Sequence, residues 1–261
     1  MSVSLTWADE ADQGTEVKDV KLWIFNASDG SLVKEKQYGG AQEVASQRFQ
    51  LPEGTYRILT TTNLTEPFFI SEQARSLSNW NNIQIGLTNP KDVRNNAYFG
   101  VADVKIDNKE SSYVVQPPLK SVLSELTVII ENIPKGTEMS GKALDCAGCL
   151  FPTQKNSDGE YGLPSIEPTE VELPTLLATE STLKSEVIRL MPTIQGSPAS
   201  HIYLRLQLPD KTLQEFDITA PKMNVGGKYE LRFKYEEMQP KMNLEATING
   251  WTNLNNEVET K

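Results

Sequence analysis

The chain has 261 residues, a formal net charge of −10 from 25 Lys and Arg against 35 Asp and Glu, one His and two Cys. At about 150 residues per domain this length suits one large domain or two ordinary ones, and 38% hydrophobic residues is too apolar for a disordered chain. The acidic balance, with no concentrated run of Lys or Arg, argues against a nucleic-acid partner; no stretch approaches ~18 consecutive apolar residues, so no helix spans a membrane; and two cysteines cannot build a multi-bridge framework.

From the start, Val3, Leu5 and Trp7 alternate with polar residues as in a short strand. No charged n-region, apolar h-region or cleavage site precedes them. Val20–Ala27 reads as a strand, Ser28-Asp29-Gly30 as a turn and Ser31–Tyr38 as the return strand, because glycine accepts positive φ at little cost. Leu51-Pro52-Glu53-Gly54 turns into the β-rich run Thr55–Thr60. The stretch from Phe69 to Ser78, ending at Asn79, is the nearest approach to a helix. Further strands are expected at Asn82–Leu87, Tyr98–Ile106, Tyr113–Gln116, Leu119–Asn132, Ser185–Met191, His201–Leu208, Leu213–Thr219, Lys228–Tyr235 and Lys241–Trp251.

Period-two rows such as Ile202, Leu204, Leu206 and Leu208 place one face on a core and the other in water. Many short strands with regular turn signals predict an all-β chain of sandwiches with little helix. Gln116-Pro117-Pro118 is the best linker, since two prolines remove two backbone donors. The expected domains are therefore 1–118 and 119–261, the second with a long irregular excursion near 149–174 that carries Pro152, Pro164, Pro168 and Pro174. Gly54-Thr55-Tyr56 and Gly227-Lys228-Tyr229 form a faint echo between the halves.

Chemistry is sparse. Cys146-Ala147-Gly148-Cys149 lacks the βαβ setting of a redox motif and a second cysteine pair for zinc, so a local disulfide or two loop thiols is the expectation. His201 leads into an alternating row, where a lone His is usually structural. There is no Gly-x-Ser-x-Gly elbow, His-Glu-x-x-His pair or phosphate loop, so no catalytic residue, metal or cofactor is expected. Trp7, Trp23, Trp80 and Trp251 could supply a sugar-stacking platform, although tryptophans of β-proteins are more often core. Trp80, in the polar stretch Ser78–Asn82, is the best candidate for exposure. The two ends offer another role, because terminal strands can exchange between chains at sheet edges.

Several segments, taken in order, carry a family likeness. They are Leu51-Pro52-Glu53-Gly54-Thr55-Tyr56-Arg57, Val20–Phe25 with the Asp29-Gly30 turn, Leu119–Val128, and Ile248-Asn249-Gly250-Trp251 near the end. Together they resemble the fimbrillin-associated anchor proteins of type V pili. That resemblance implies two transthyretin-like (prealbumin-like) Greek-key sandwiches in tandem. It also implies a non-enzymatic minor fimbrial subunit at the cell surface, an outer-membrane lipoprotein acylated on a Cys upstream of Val3. Stalk subunits of such pili lose their first strand at an arginine; here the first arginine is Arg48, inside the domain, as suits an anchor. The expected partners are fimbrial stalk subunits, joined by strand addition. Val3, Leu5 and Trp7 at one end, and Leu254 and Val258 at the other, are the candidate exchanging residues. A carbohydrate-binding surface lipoprotein that uses exposed aromatics is the alternative.

Overall fold

A computed structural model describes residues 1–72, 79–90, 93, 95–108 and 111–238. The chain is all-β as expected, and divides into two compact units. In chain order, unit one begins with β1 (Ser2–Val3), β2 (Thr6–Trp7), β3 (Lys18–Asn26), β4 (Leu32–Gly40), the short helix α1 (Ala41–Ser46), β5 (Gly54–Thr62), β6 (Phe68–Glu72), β7 (Ile83–Leu87), β8 (Tyr98–Ile106), β9 (Val114–Val115) and β10 (Pro118–Ser121). The chain then enters unit two with β11 (Ser124–Glu131) and β12 (Glu138–Ala147). It returns to unit one for β13 (Cys149–Lys155) and β14 (Tyr161–Pro164), and finishes in unit two with β15 (Pro168–Leu177), β16 (Thr182–Lys184), β17 (Ile188–Leu190), β18 (Ala199–Gln207), β19 (Leu213–Pro221) and β20 (Lys228–Lys234).

Unit one is built on a six-stranded sheet ordered β2-β10-β8-β5-β3-β4. The apolar run Leu22-Trp23-Ile24-Phe25 is buried on both faces of this sheet. Even-numbered side chains pack with Val3, Tyr38, Val44, Phe49, Tyr56, Ile58 and Val115 in one cluster. On the opposite face Phe25 meets the ring of Trp80 at 5.3 Å. A second sheet of this unit is ordered β14-β13-β7-β6. Unit two holds two four-stranded sheets. In one, β11 is flanked by β16 and β17 on one side and β20 on the other; the second is ordered β15-β12-β18-β19. Along β18, Ile202, Leu204 and Leu206 are buried while His201 and Arg205 are exposed, so the alternation read in the sequence faces a real core.

Several expectations change. The contact-defined units are not the continuous blocks 1–118 and 119–261. Pro118 opens β10, and the backbone near Pro117 and Pro118 lies close against Gly100 of β8, so this segment is built into unit one and the chain passes over after Val122. Proline is tolerated at the first position of a strand, where its missing N–H is not needed. The predicted strand Leu119–Asn132 is accordingly two strands, one in each unit. The excursion 149–174 is not irregular. Leu150 of β13 registers with Ile85 of β7, and Pro168 and Pro174 stand on β15, an edge strand that accepts proline. Of the helix expected over 69–78, Phe68–Glu72 is a strand paired with β7, and residues 73–78 lie outside the described part, as does the strand expected at 241–251.

Candidate functional site

The terminal strands are the features that sequence singled out for exchange, and the first of them is firmly placed. β1 runs parallel to β9, with Val3 beside Val115, and β2 runs parallel to β10, with Trp7 beside Leu119. Three amides tie the segment down: Ser2 N–H donates to Tyr113 O at 2.8 Å, Ser4 N–H to Val115 O at 2.9 Å and Ala8 N–H to Leu119 O at 2.8 Å. Val3 is fully buried among Val20, Leu22, Val44 and Phe49, and Leu5 packs on the same cluster. Trp7 is half-buried and meets Tyr98 edge-on at 4.9 Å. The structure therefore brings Val3 and Leu5 together in one core and sends Trp7 to a different neighbour. Leu254 and Val258 lie outside the described residues.

The sheets leave edges to which a strand could be added. Among the described residues no strand pairs with the outer sides of β4, β15, β19 or β20. Two of these edges carry features that oppose indiscriminate pairing. β4 presents Lys34, Glu35 and Lys36, and β15 contains two prolines. β20 and β19 lack proline within the strand except at Pro221, the last residue of β19.

The echo between the halves proves to be a shared local device. The Tyr56 hydroxyl donates to Pro52 O at 3.0 Å, and the Tyr229 hydroxyl accepts from Asn224 N–H at 2.8 Å. Each ring folds back over the glycine two residues earlier. A Cβ on Gly54 would stand 3.4 Å from Tyr56 Oη, and one on Gly227 would stand 2.5 Å from Tyr229 Oη. A tyrosine that bonds backbone a few residues upstream pins the entry to a strand, as in the tyrosine corner of sandwich domains. The Gly-x-Tyr spacing was the sequence signal for it. Burial raises the Tyr229 hydroxyl pKa, opposed by the Asn224 bond.

The other candidates resolve as follows. Cys146 and Cys149 are not joined by a disulfide, which leaves the other of the two expected readings, a pair of thiols. Cys146 is held beside Thr169 and Cys149 beside Gly86, in sheets of different units, which leaves no tight loop for a bridge. Burial, with the Asp145 carboxylate adding to it, pushes the Cys146 thiol up to about 12. A buried, protonated thiol is a poor nucleophile and a poor ligand. The Asp145 carboxylate contacts both the backbone N–H and the Nδ1 of His201, so the imidazole is tied to its own sheet. Trp80 is 3% exposed, wedged between Phe25 and Tyr161 with Arg57 over its ring, and Trp23 is 1% exposed. The exposure expected of Trp80 is overturned, and with it its candidacy for a stacking platform: Asn81 and Asn82 beside it are exposed while the indole turns in. Trp251 lies outside the described residues. Among the described residues no group of three or more His, Cys, Asp or Glu could hold a metal ion, and no helix is long and apolar enough to cross a membrane.

Fold and site together define a β-sheet protein with a seated first strand and, among the described residues, unpaired sheet edges. Residues 1–257 match the family of fimbrillin-A associated anchor proteins Mfa1 and Mfa2, and the chain belongs to that family. Among solved structures it is similar to the fimbrial anchor protein Mfa2 from Porphyromonas gingivalis, at 13% identity over 89% of this chain and 88% of that one, with a TM-score of 0.57. It is also similar to a fimbrial assembly protein from Parabacteroides distasonis, at 12% identity over 91% and 92% of the two chains, TM-score 0.54. A candidate adhesin from Bacteroides thetaiotaomicron shares 11% identity over 90% and 91%, with a TM-score of 0.61. At these identities the likeness establishes the fold. No curated protein sequence matches the chain. Membership of that family points to a fimbrial role at the cell surface, in association with fimbrial subunits.

Proposed function

We propose that this chain is a non-enzymatic anchor subunit at the base of a fimbria, held to the outer membrane by an N-terminal lipid, and that it joins stalk subunits by β-strand addition and so supports cell adhesion. Family membership supports the fimbrial part. The observation that carries the anchor part is the seated first strand. Val3 fills a slot in the core of unit one, and no arginine stands between residues 1 and 47 at which that strand could be cut away in the manner of a stalk subunit. A subunit whose own slot is filled ends a chain of strand donations on that side. Its contribution to the next contact is then a donated strand, with backbone bonds giving strength and alternate apolar side chains giving register. Leu254 and Val258, two spaced apolar residues in a polar tail, are the proposed pocket-filling pair.

The test is made in the organism that carries the chain. Without it, intact fimbriae are expected in the medium instead of on the cells. Leu254→Asp with Val258→Asp is expected to abolish co-purification with stalk subunits, and labelled palmitate is expected on the mature protein. Fimbriae that remain cell-bound in the deletion strain would defeat the anchor reading.

A further inference from the structure

In both units the opening strands pair in parallel with later ones: in unit one with those before the chain first leaves it, in unit two with the last described strand. In unit one, β1 and β2 lie parallel to β9 and β10, the strands that precede the exit at Val122. In unit two, β11 lies parallel to β20 through seven consecutive pairs, from Glu125 beside Lys228 to Glu131 beside Lys234. Three parallel pairs, beside antiparallel neighbours such as β8–β10, β11–β17, β18–β19 and β5–β8, are a distinctive feature, since parallel strands demand a long return path.

We infer that both units are shear clamps, built to carry tension between the chain's two ends. The inference rests on the anchor reading for its physiological purpose, but on the strand registers for its substance. In a parallel pair the start of one strand and the end of the other lie at opposite ends of the ladder. A pull on the start of β11 against the end of β20 therefore runs along the strands, and loads all the inter-strand bonds together. The same holds for the start of β1 against the end of β10. An antiparallel hairpin pulled at its two open ends instead loses its bonds one at a time.

The β11–β20 ladder is also secured against sliding. Leu126, Val128 and Ile130 on one strand, and Tyr229 and Leu231 on the other, are buried. A slip of one residue would turn such a row toward water, so the smallest tolerated slip is two residues, about 6.6 Å. Arg232 bridges Glu131 on the neighbouring strand and Glu230 on its own, which fixes the register from the exposed side. At the entrance, Glu125 N–H donates to Gly227 O at 2.8 Å and the Ser124 hydroxyl to Asn224 O at 2.8 Å. In unit one the buried Val3 plays the corresponding part.

The test is single-molecule pulling of the full chain in two geometries. The first attaches handles at the chain ends. The second attaches them through azide-bearing side chains at positions 195 and 222, which flank the open end of the β18–β19 hairpin, where Ala199 stands beside Pro221. The expected result is a first rupture force severalfold higher end to end than across the hairpin, at equal loading rate. Equal forces, or a lower end-to-end force, would overturn the clamp. Circular dichroism and the thermal midpoint of the azide-labelled chain, compared with the native one, verify that both geometries act on the same fold. The outcome is independent of whether fimbriae are shed from cells that lack the chain, so the clamp and the anchor reading fail separately.

Discussion

The substitution Val3→Ala probes how strongly the first strand is held. Val3 has no exposed surface and contacts a cluster that includes Leu22, Val44, Phe49 and Val115. Removing two methyl carbons forfeits about 1.6 kcal/mol at ~0.8 kcal/mol each. The space left against a sheet that can relax little raises the total to about 2–3 kcal/mol. Because β1 and β2 are joined to unit one by few backbone bonds, the strand is expected to open by itself before the unit does. About 2 kcal/mol corresponds to roughly a 30-fold shift in that opening equilibrium. Hydrogen exchange at the Ser2, Ser4 and Ala8 amides, which are bonded to Tyr113, Val115 and Leu119, should therefore accelerate roughly 30-fold, while amides of β11 in unit two keep their rates. Unchanged exchange at these three amides would refute the reasoning, because the valine would then contribute nothing to holding the strand. A uniform acceleration across both units would refute it as well, since the strand would then have no independent opening.

Gly227→Ala is expected to cost about 1–3 kcal/mol in urea unfolding, because the new Cβ meets the Tyr229 ring, whereas Gly14→Ala has open space around it and should be close to neutral. Tyr229→Phe removes the acceptor of the Asn224 amide and should lower stability by about 1 kcal/mol, measured the same way. Trp80→Ala should cost about 3–5 kcal/mol and leave any glycan binding unchanged per folded molecule; loss of glycan binding at full stability would restore the stacking role. The folded Cys146 pKa lies above its unfolded value, so this thiol stabilises fully below about pH 8.5 and loses that contribution as pH rises toward about 12. Cys146→Ala should flatten the alkaline limb of the stability curve, and iodoacetamide at pH 8 should label Cys149 well before Cys146.

Much of the framework was legible because its periodicity is local. Tyr98–Ile106 matches β8 from end to end, and the rows of β18 and β20 follow the alternation of Leu204 and Leu231. β12 was missed because two register shifts, between Met139 and Gly141 and between Ala143 and Cys146, break its period, and Gly141 sits where the Tyr203 carbonyl leaves no room for a Cβ. β15 was missed because its two prolines read as loop, although an edge strand tolerates them. The burial of Trp80 was hidden for a different reason. Its sequence neighbours are polar because a short 3-10 turn, capped by Asn79 accepting from the Asn81 amide, turns them outward. What periodicity could not supply was partnership. Nothing local to Leu126 or Tyr229 says that they will lie side by side and parallel, since that choice is made by packing across a separation of about a hundred residues.

The return of residues 149–163 to unit one has a consequence for how such a protein is made and how it can evolve. When the chain emerges from its N-terminus, β7 stays without its neighbour β13 until residue 155 is available, and β11 waits for β20 until residue 234. Neither unit corresponds to a contiguous stretch of gene. A single recombination breakpoint at Pro117–Pro118 would therefore make unit one a hybrid, with β1 to β9 from one parent and β10, β13 and β14 from the other. Descent in this family is then expected to preserve the two units as one inherited block, with variation confined to the edges and turns around them.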